Sequence, residues 1–388
     1  MKIKSIEMVK LQVPQHGKKT TPRRPSYNQT AWRAFPVNKY PEFPRQLRRI
    51  PGEVAHEVWI KVTAEDGTWG LGICHWGNLI EALIRDHFTP LLLGRDCLAI
   101  EFLNDLMWRA SQRFGANGLV AVARSGIDLA LWDLKGKLLK LPVYSLIGGP
   151  CREYINCYCT SDDLDWTTEL GFKAFKISNP VHYEESIEGI NRLEEKVAKA
   201  REIVGPSSDL MLNPVMSYNV EFAIRLFERL RPYQLRWIEE PLMPHDYDGL
   251  DQIKRAVPTQ PIATGEDHHG RHEFRELIAR RCVDVVQPDL RWFGGLTEAL
   301  KVYTLAEAAG ISTFPHSGAS LPFGQHFHFA MPETQLAEYW LHGDPGVPLA
   351  ETMHIPGVAT PKDGKLVPSD APGFGMDLKD EYLIPWER

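Results

Sequence analysis

From residue 154 onward the chain alternates short apolar runs with longer amphipathic stretches. The runs are INCYCTS, AFKISN, LMLNPV, LRWIEEP, PIATGE, DVVQPDL, STFPHS and QLAEYW, and between them lie segments such as EFAIRLFERLRPY and LTEALKVYTLAEAAG with apolar residues at helical spacing. Runs of strand length separated by helical patterns predict parallel βα units. Eight of them predict an α/β fold closed into a barrel. An open doubly wound sheet is the alternative, but no GxGxxG or P-loop follows an early strand. The first part reads differently. Residues 3–14 alternate as a strand, and EVWIKVTAEDGTWGLGICHW reads as a hairpin turned at Asp66-Gly67. Helical patterns follow at 79–92, 99–112 and 119–139. The expected organisation is an α+β domain over 1–140, a barrel over 141–350, and a turn-rich segment over 351–388 that returns to the first domain.

Polar residues close six of the barrel runs: Asn213, Glu239, Glu266, Asp289, His316 and Glu338, spaced 26, 27, 23, 27 and 22 residues apart. Strands of a parallel barrel all point one way, so these residues are expected at a single rim, where barrel enzymes place their chemistry. Two carboxylates and an amide oxygen from adjacent strands (Glu239, Glu266, Asn213) form a hard-oxygen set suited to Mg²⁺. Glu240 follows Glu239 directly, and strand alternation sends the two to opposite sides. Asp289 on the strand beside His316 is placed to orient the imidazole as a general base.

Charge and composition narrow the partners. The 388 residues carry a net charge of −6, which leaves no global basic field for nucleic acid. No apolar run reaches membrane-spanning length, and the N-terminus lacks a signal-peptide core, so a cytoplasmic protein acting on a small molecule is expected. Six cysteines show no CxxC spacing; Cys157 and Cys159 face one way on a strand and read as buried thiols rather than a metal pair. Between residues 15 and 52, nine Lys or Arg stand against one acid, Glu42, among interspersed aromatics. Lying between two strands of the first domain, this stretch reads as a lid over an anionic substrate, with Arg45 or Arg48 as the contact.

The motifs WIEEP, ATGEDHHG, VVQPDLRWFGGLTEA, FPHSGAS and AEYW, with LALWDLKGK…LPVYSLIGG and the PGFG tail, resemble the enolase superfamily in its mandelate racemase-like branch, and within it the acid-sugar dehydratases of the L-rhamnonate dehydratase group. The resemblance spans nearly the whole chain. It implies a (β/α)7β barrel capped by the N-terminal domain, a homo-oligomer, Mg²⁺ held by Asn213, Glu239 and Glu266, and an Asp289–His316 dyad that moves the proton. It also implies Glu338, as a protonated donor, on a substrate carboxylate oxygen. The superfamily's His or Lys base and Mg²⁺-stabilised intermediate are general knowledge of the group. The implied reaction is removal of the C2 proton of an aldonate and loss of the C3 hydroxyl, giving a 2-keto-3-deoxy acid.

Three departures mark this chain. Racemising relatives carry Lys-x-Lys on the second barrel strand, where this chain has Lys176-Ile177-Ser178, so dehydration outranks racemisation or epimerisation and Lys176 is expected to support the carboxylate. Asn213 stands where the family has Asp, which removes a charge from the metal cage and leaves a metal-weakened, non-catalytic paralogue as a further alternative. Glu266-Asp267-His268-His269-Gly270 carries one acid more than the Glu-His-His-Gly of the rhamnonate group. His268 or His269 is expected on substrate hydroxyls, or else as part of a helix start, while Arg291 and Trp292 are expected to line the pocket.

Overall fold

A computed structural model describes residues 1–14, 20–40, 42–43, 57–353 and 355–387. The N-terminal strand β1 (Ile3–Leu11) pairs antiparallel with β2 (Val58–Ala64), which turns at Asp66-Gly67 into β3 (Trp69–Cys74). One face of this sheet packs on the long helix Leu119–Leu139, which is buried along most of its length. The alternation in TWGLGIC permits the fit. Leu71 and Ile73 fill the core, whereas a Cβ on Gly70 or Gly72 would meet the helix backbone at 2.2 Å or 2.1 Å. Any side chain there would push the helix off the sheet.

The barrel strands are β4 (Ile155–Thr160), β5 (Ala174–Ser178), β6 (Asp209–Asn213), β7 (Ile238–Glu239), β8 (Ile262–Thr264), β9 (Val285–Val286), β10 (Ser312–Thr313) and β11 (Ala337–Trp340). They run parallel and in sequence order, and β11 pairs with β4. Between β10 and β11, Ala319 N donates to Glu338 O at 2.7 Å and Trp340 N to Ser320 Oγ at 2.8 Å. This is the expected capped α/β barrel. A short β12 (Lys365–Leu366) lies antiparallel to β4, and the tail strand β13 (Leu383–Pro385) adds to the free edge of β1. The C-terminal segment therefore completes the cap sheet, as the sequence led us to expect.

The barrel interior is plugged by one residue from each strand or its flank: Tyr158, Ala174, Met211, Trp237, Ala263, Val285, Phe314 and Leu336. Such layers make the barrel a packed core rather than a pore. The polar residues at the strand tips stand on this plug.

The cap is tied to the barrel by buried polar contacts next to the site. Trp132 Nε1 donates to Thr297 Oγ1 (2.9 Å), Thr297 N to Asp128 Oδ2 (3.0 Å), and Gly294 N to Ser125 Oγ (2.8 Å). These bonds fix the turn that follows Asp289, Arg291 and Trp292.

Candidate active site

Lys176, projecting inward from β5, is buried with its ammonium 2.5 Å from Glu239 Oε1 and 2.8 Å from Glu338 Oε1. Burial works against its charge, but Glu239 and Glu338 outweigh burial and hold the ammonium well above the ordinary lysine range. Glu239 accepts from three further donors: Asn213 Nδ2 at 2.8 Å, Gln287 Nε2 at 2.8 Å and Trp237 Nε1 at 3.2 Å. Glu338 accepts from Ser317 N at 2.8 Å and from Thr160 Oγ1. Although burial alone would raise its carboxyl, Lys176 and His316 bring it down to about 2. Glu338 is thus held as an anion that accepts hydrogen bonds. The sequence-based expectation of a protonated donor does not fit this environment, because Lys176, Ser317 N and Thr160 already donate to its oxygens.

His316 follows β10. Its Nδ1 lies 2.6 Å from Asp289 Oδ2, and its Nε2 faces Glu266 Oε1 at 3.3 Å and Glu338 Oε2 at 3.8 Å. Asp289 is also gripped by Arg291, with Nε 2.9 Å from Oδ1 and Nη2 2.5 Å from Oδ2. Burial would raise the Asp289 carboxyl, but Arg291 and then His316 hold it well below the usual range. Trp292 lies beside the dyad. Its ring centroid is 5.5 Å from that of His316, and its Nε1 donates to Glu266 O at 2.6 Å.

The β7–β8 side of the rim is different. Burial pushes the Glu266 carboxyl well up, and Glu240, Asp267 and Glu239 add to the rise. Burial likewise lifts Glu240, with Asp267 and Glu239 adding, and it lifts Asp267. Strand alternation does not send Glu240 to the far side. Its φ of 43° breaks the extended pattern directly after β7, and Glu240 Oε1 accepts from Asp267 N at 3.4 Å. Left-handed backbone recurs just past the other tips, at Val215 (51°), Met216 (58°) and Ser317 (54°). For a β-branched residue such as Val215 this is costly, and strain of this kind gathers where a site imposes geometry. Asn213 contributes to it: its Oδ1 accepts from Val215 N at 2.8 Å while its Nδ2 points at Glu239.

The structure thus brings Lys176, Asn213, Glu239, Glu266, Asp289, Trp292, His316 and Glu338 to one rim. Among the described residues no three His, Cys, Asp or Glu side chains gather at metal-ligating spacing. The third position of the expected cage is the Asn213 amide. His268 is buried elsewhere, between Tyr247 and Phe274 with centroids 5.9 Å away in each case, and burial lowers it to about 4. His269 precedes the helix Gly270–Arg280, and its N–H donates to Glu273 Oε2 at 2.5 Å. Both therefore serve the helix start and its packing. Arg45 and Arg48 lie outside the described residues. Two other cations of the basic segment bind protein acids: Arg23 meets Glu169 at 2.7 and 2.8 Å, and Arg24 meets Asp163 at 3.0 Å and Asp165 at 2.7 Å. Arg23 and Arg24 are docked on the barrel by these pairs, so their charge is structural. Cys157 and Cys159 are buried thiols, pushed up by burial, as their place on the strand led us to expect.

Residues the sequence did not single out also reach the rim. Gln287 and Thr160 hold the two anions, and His75, at the end of β3, meets Arg291 Nη1 at 3.1 Å through its Nε2. Gln287 sits two residues before Asp289, on the inward parity, and that spacing was a usable signal. For His75 only the seating of the cap reveals the contact.

Comparison with known proteins agrees with this geometry. Residues 162–382 match the enolase C-terminal domain-like family, and residues 33–148 match the mandelate racemase / muconate lactonizing enzyme N-terminal domain. The chain is 35% identical over 355 residues to an L-rhamnonate dehydratase of Saccharopolyspora erythraea, covering 90% of each chain. The structure of a rhamnonate dehydratase from Gibberella zeae complexed with Mg superposes with a TM-score of 0.87 at 32% identity, over 99% of this chain and 96% of that one. A 3,6-anhydro-D-galactonate cycloisomerase from Zobellia galactanivorans follows at 0.74 and 30%, over 85% of this chain and 97% of that one. Two-domain architecture, strand-tip acids and these matches together show that the chain belongs to the mandelate racemase-like branch of the enolase superfamily.

Proposed function

We propose that the protein is a Mg²⁺-dependent acid-sugar dehydratase acting on a five- or six-carbon aldonate. The observation that carries this reading is the placement of His316: Nδ1 is tied to Asp289, and Nε2 is turned into the space between Glu266 and Glu338. Its likeness to L-rhamnonate dehydratases supports the substrate class.

The donor set fits magnesium. Glu240 is buried and Glu266 and Asp267 are half-buried beside it, each held above its ordinary carboxylate value by desolvation and by neighbouring acids. Crowded negative charge of this kind is what a divalent cation relieves. Glu239, Glu266 and the Asn213 amide oxygen would hold it; the amide carbonyl keeps a second lone pair beside the one used by Val215 N. When bound, Mg²⁺ supplies Lewis acidity to the substrate carboxylate, so that charge developing at C2 is stabilised.

The remaining chemistry belongs to the chain. Asp289 takes the Nδ1 proton's hydrogen bond and leaves the Nε2 lone pair free to remove the C2 proton. The imidazolium so formed sits 2.6 Å from a buried carboxylate that stabilises it. His316 then returns the proton to the departing C3 hydroxyl, and the enol product becomes the 2-keto-3-deoxy acid. Lys176 offers a permanent cation to the developing negative charge, a donor role better suited to it than to the ionised Glu338. Trp237 and Tyr158 form the floor beneath Glu239 and Lys176.

Two-base racemisation lacks its second base. Lys176 is locked as an ammonium, and Ser178, which stands at the other lysine's position, bonds Asp162 and, at 3.0 Å, Lys196. The same proposal includes a homo-oligomer in the cytoplasm. The test is incubation of the Mg²⁺-loaded protein with a panel of aldonates and assay for 2-keto-3-deoxy acids. Deuterium wash-in at C2 without elimination would replace dehydration by racemisation, and silence in both assays would end the reading.

A further inference from the structure

His75 belongs to the cap, one residue beyond β3, while Asp289 and His316 belong to the barrel. Arg291 joins them. Its Nε and Nη2 fork onto Asp289, and its remaining Nη1 points at His75 Nε2 at 3.1 Å. Asp289 Oδ2 shares its second side with His316 Nδ1 at 2.6 Å. The Arg291 side chain is 11% exposed and that of Asp289 1%, so little solvent competes for these groups. Around the same axis the Trp292 ring lies edge-on to His75 at 5.2 Å and 5.5 Å from His316. Contacts therefore run unbroken from the last residue of the cap hairpin to the barrel imidazole.

We propose that Arg291 and His75 are positioning residues for proton transfer at His316, with the cap histidine fixing the arginine fork that orients Asp289. Each link has a physical reason. A guanidinium has five donors in a rigid plane and no acceptor, so a two-point fork sets the plane of the carboxylate it holds. A carboxylate fixed in that plane offers one defined lone pair to His316 Nδ1–H, which selects the tautomer with a bare Nε2. An arginine N–H aimed at His75 Nε2 needs a lone pair there, so His75 must be neutral and carry its proton on Nδ1. Burial and then Arg291 lower His75 to about 3, which keeps it neutral throughout the pH range of ordinary enzyme assays. Seating the cap thus completes the dyad's geometry, although no cap residue touches Asp289 in this chain of bonds.

The inference rests on His316 as the base, and its test separates the two ideas. In the full-length Mg²⁺-loaded protein, ¹⁵N-resolved NMR of the histidine rings reports the His316 tautomer, assigned by the signal lost in His316→Asn. We expect a single Nδ1–H tautomer in the unmodified protein, and a mixture in His75→Phe and in Arg291→Gln. His75→Gln keeps an acceptor for Arg291 and should restore the single form. In turnover, His75→Phe should lower kcat about 10- to 100-fold with KM nearly unchanged, the penalty expected when a reacting group is misplaced. An unchanged tautomer and an unchanged kcat in His75→Phe would overturn the proposal. Absence of aldonate turnover in the unmodified protein would instead refute the dehydratase reading, with the NMR result still deciding the positioning role.

Discussion

The two sides of the rim solve the problem of buried charge in opposite ways. Around β5, β7 and β11, Lys176 sits between Glu239 and Glu338, and five further donors (Asn213, Gln287, Trp237, Ser317 N and Thr160) complete the two carboxylates. Just past β7 and β8, burial and neighbouring acids raise the carboxyls of Glu240, Glu266 and Asp267, and for the two glutamates Lys176 is the opposing charge. A paired cluster is rigid and stays as it is, whereas a crowded one gains free energy by taking up protons or a cation. His316 stands between them and touches both, through Glu338 and Glu266.

The largest expected effect comes from removing that bridge. His316→Asn should lower elimination by about a thousandfold or more, since it deletes the acid and base together. Magnesium affinity measured by calorimetry should persist, because the imidazole is not a ligand in this reading. Retained turnover would show that the base lies elsewhere. Next is the paired side. Lys176→Met leaves two buried carboxylates without their cation, a loss of about 3–5 kcal/mol in typical buried pairs. Chemical denaturation of the Mg²⁺-free protein measures it, and a stability within about 1 kcal/mol of the parent would mean that the pair contributes far less than its geometry suggests.

The comparison also explains what the sequence disclosed. The βα period placed six of the expected site residues at one rim because strand tips are fixed by topology, which hydrophobic periodicity reports. Glu240 was misplaced because alternation assumes extended backbone, whereas its φ is 43°, with its N–H bonded to Ala263 O and its carbonyl to Met216 N. The basic segment was read as a lid from its charge, its aromatics and its place between two strands, but Arg23 and Arg24 have partners at Glu169, Asp163 and Asp165, and only folding brings those together. His268 was expected on substrate hydroxyls or at a helix start, and it packs between aromatic rings. His75 reaches Arg291 across 216 positions of sequence, a contact no local pattern encodes.

Asn213 donates to Glu239 on the paired side and is also an expected metal ligand, so Asn213→Asp should act with opposite signs in two assays. With Mg²⁺ the added charge should tighten binding by about tenfold, since affinity for hard cations follows ligand charge. Without Mg²⁺ the same change replaces the Nδ2 donor to Glu239 by a second carboxylate and should lower stability. Calorimetry and denaturation of one variant read both, and an unchanged affinity would place Asn213 outside the metal site.

The smallest effect belongs to the acid that this chain has in excess. Asp267→Asn removes one member of the crowded group while keeping the volume and the backbone N–H that reaches Glu240. Burial disfavours the Asp267 anion in the folded state, and Asp289 adds to it. The amide should therefore stabilise the Mg²⁺-free protein, by about 1 kcal/mol on the scale of a single unfavourable carboxylate interaction. The gain should shrink once Mg²⁺ is bound, because the cation relieves the same repulsion. A loss of stability on this substitution would show that Asp267 is held by attractive contacts, and the contrast between a paired and a crowded side of the rim would no longer describe the site.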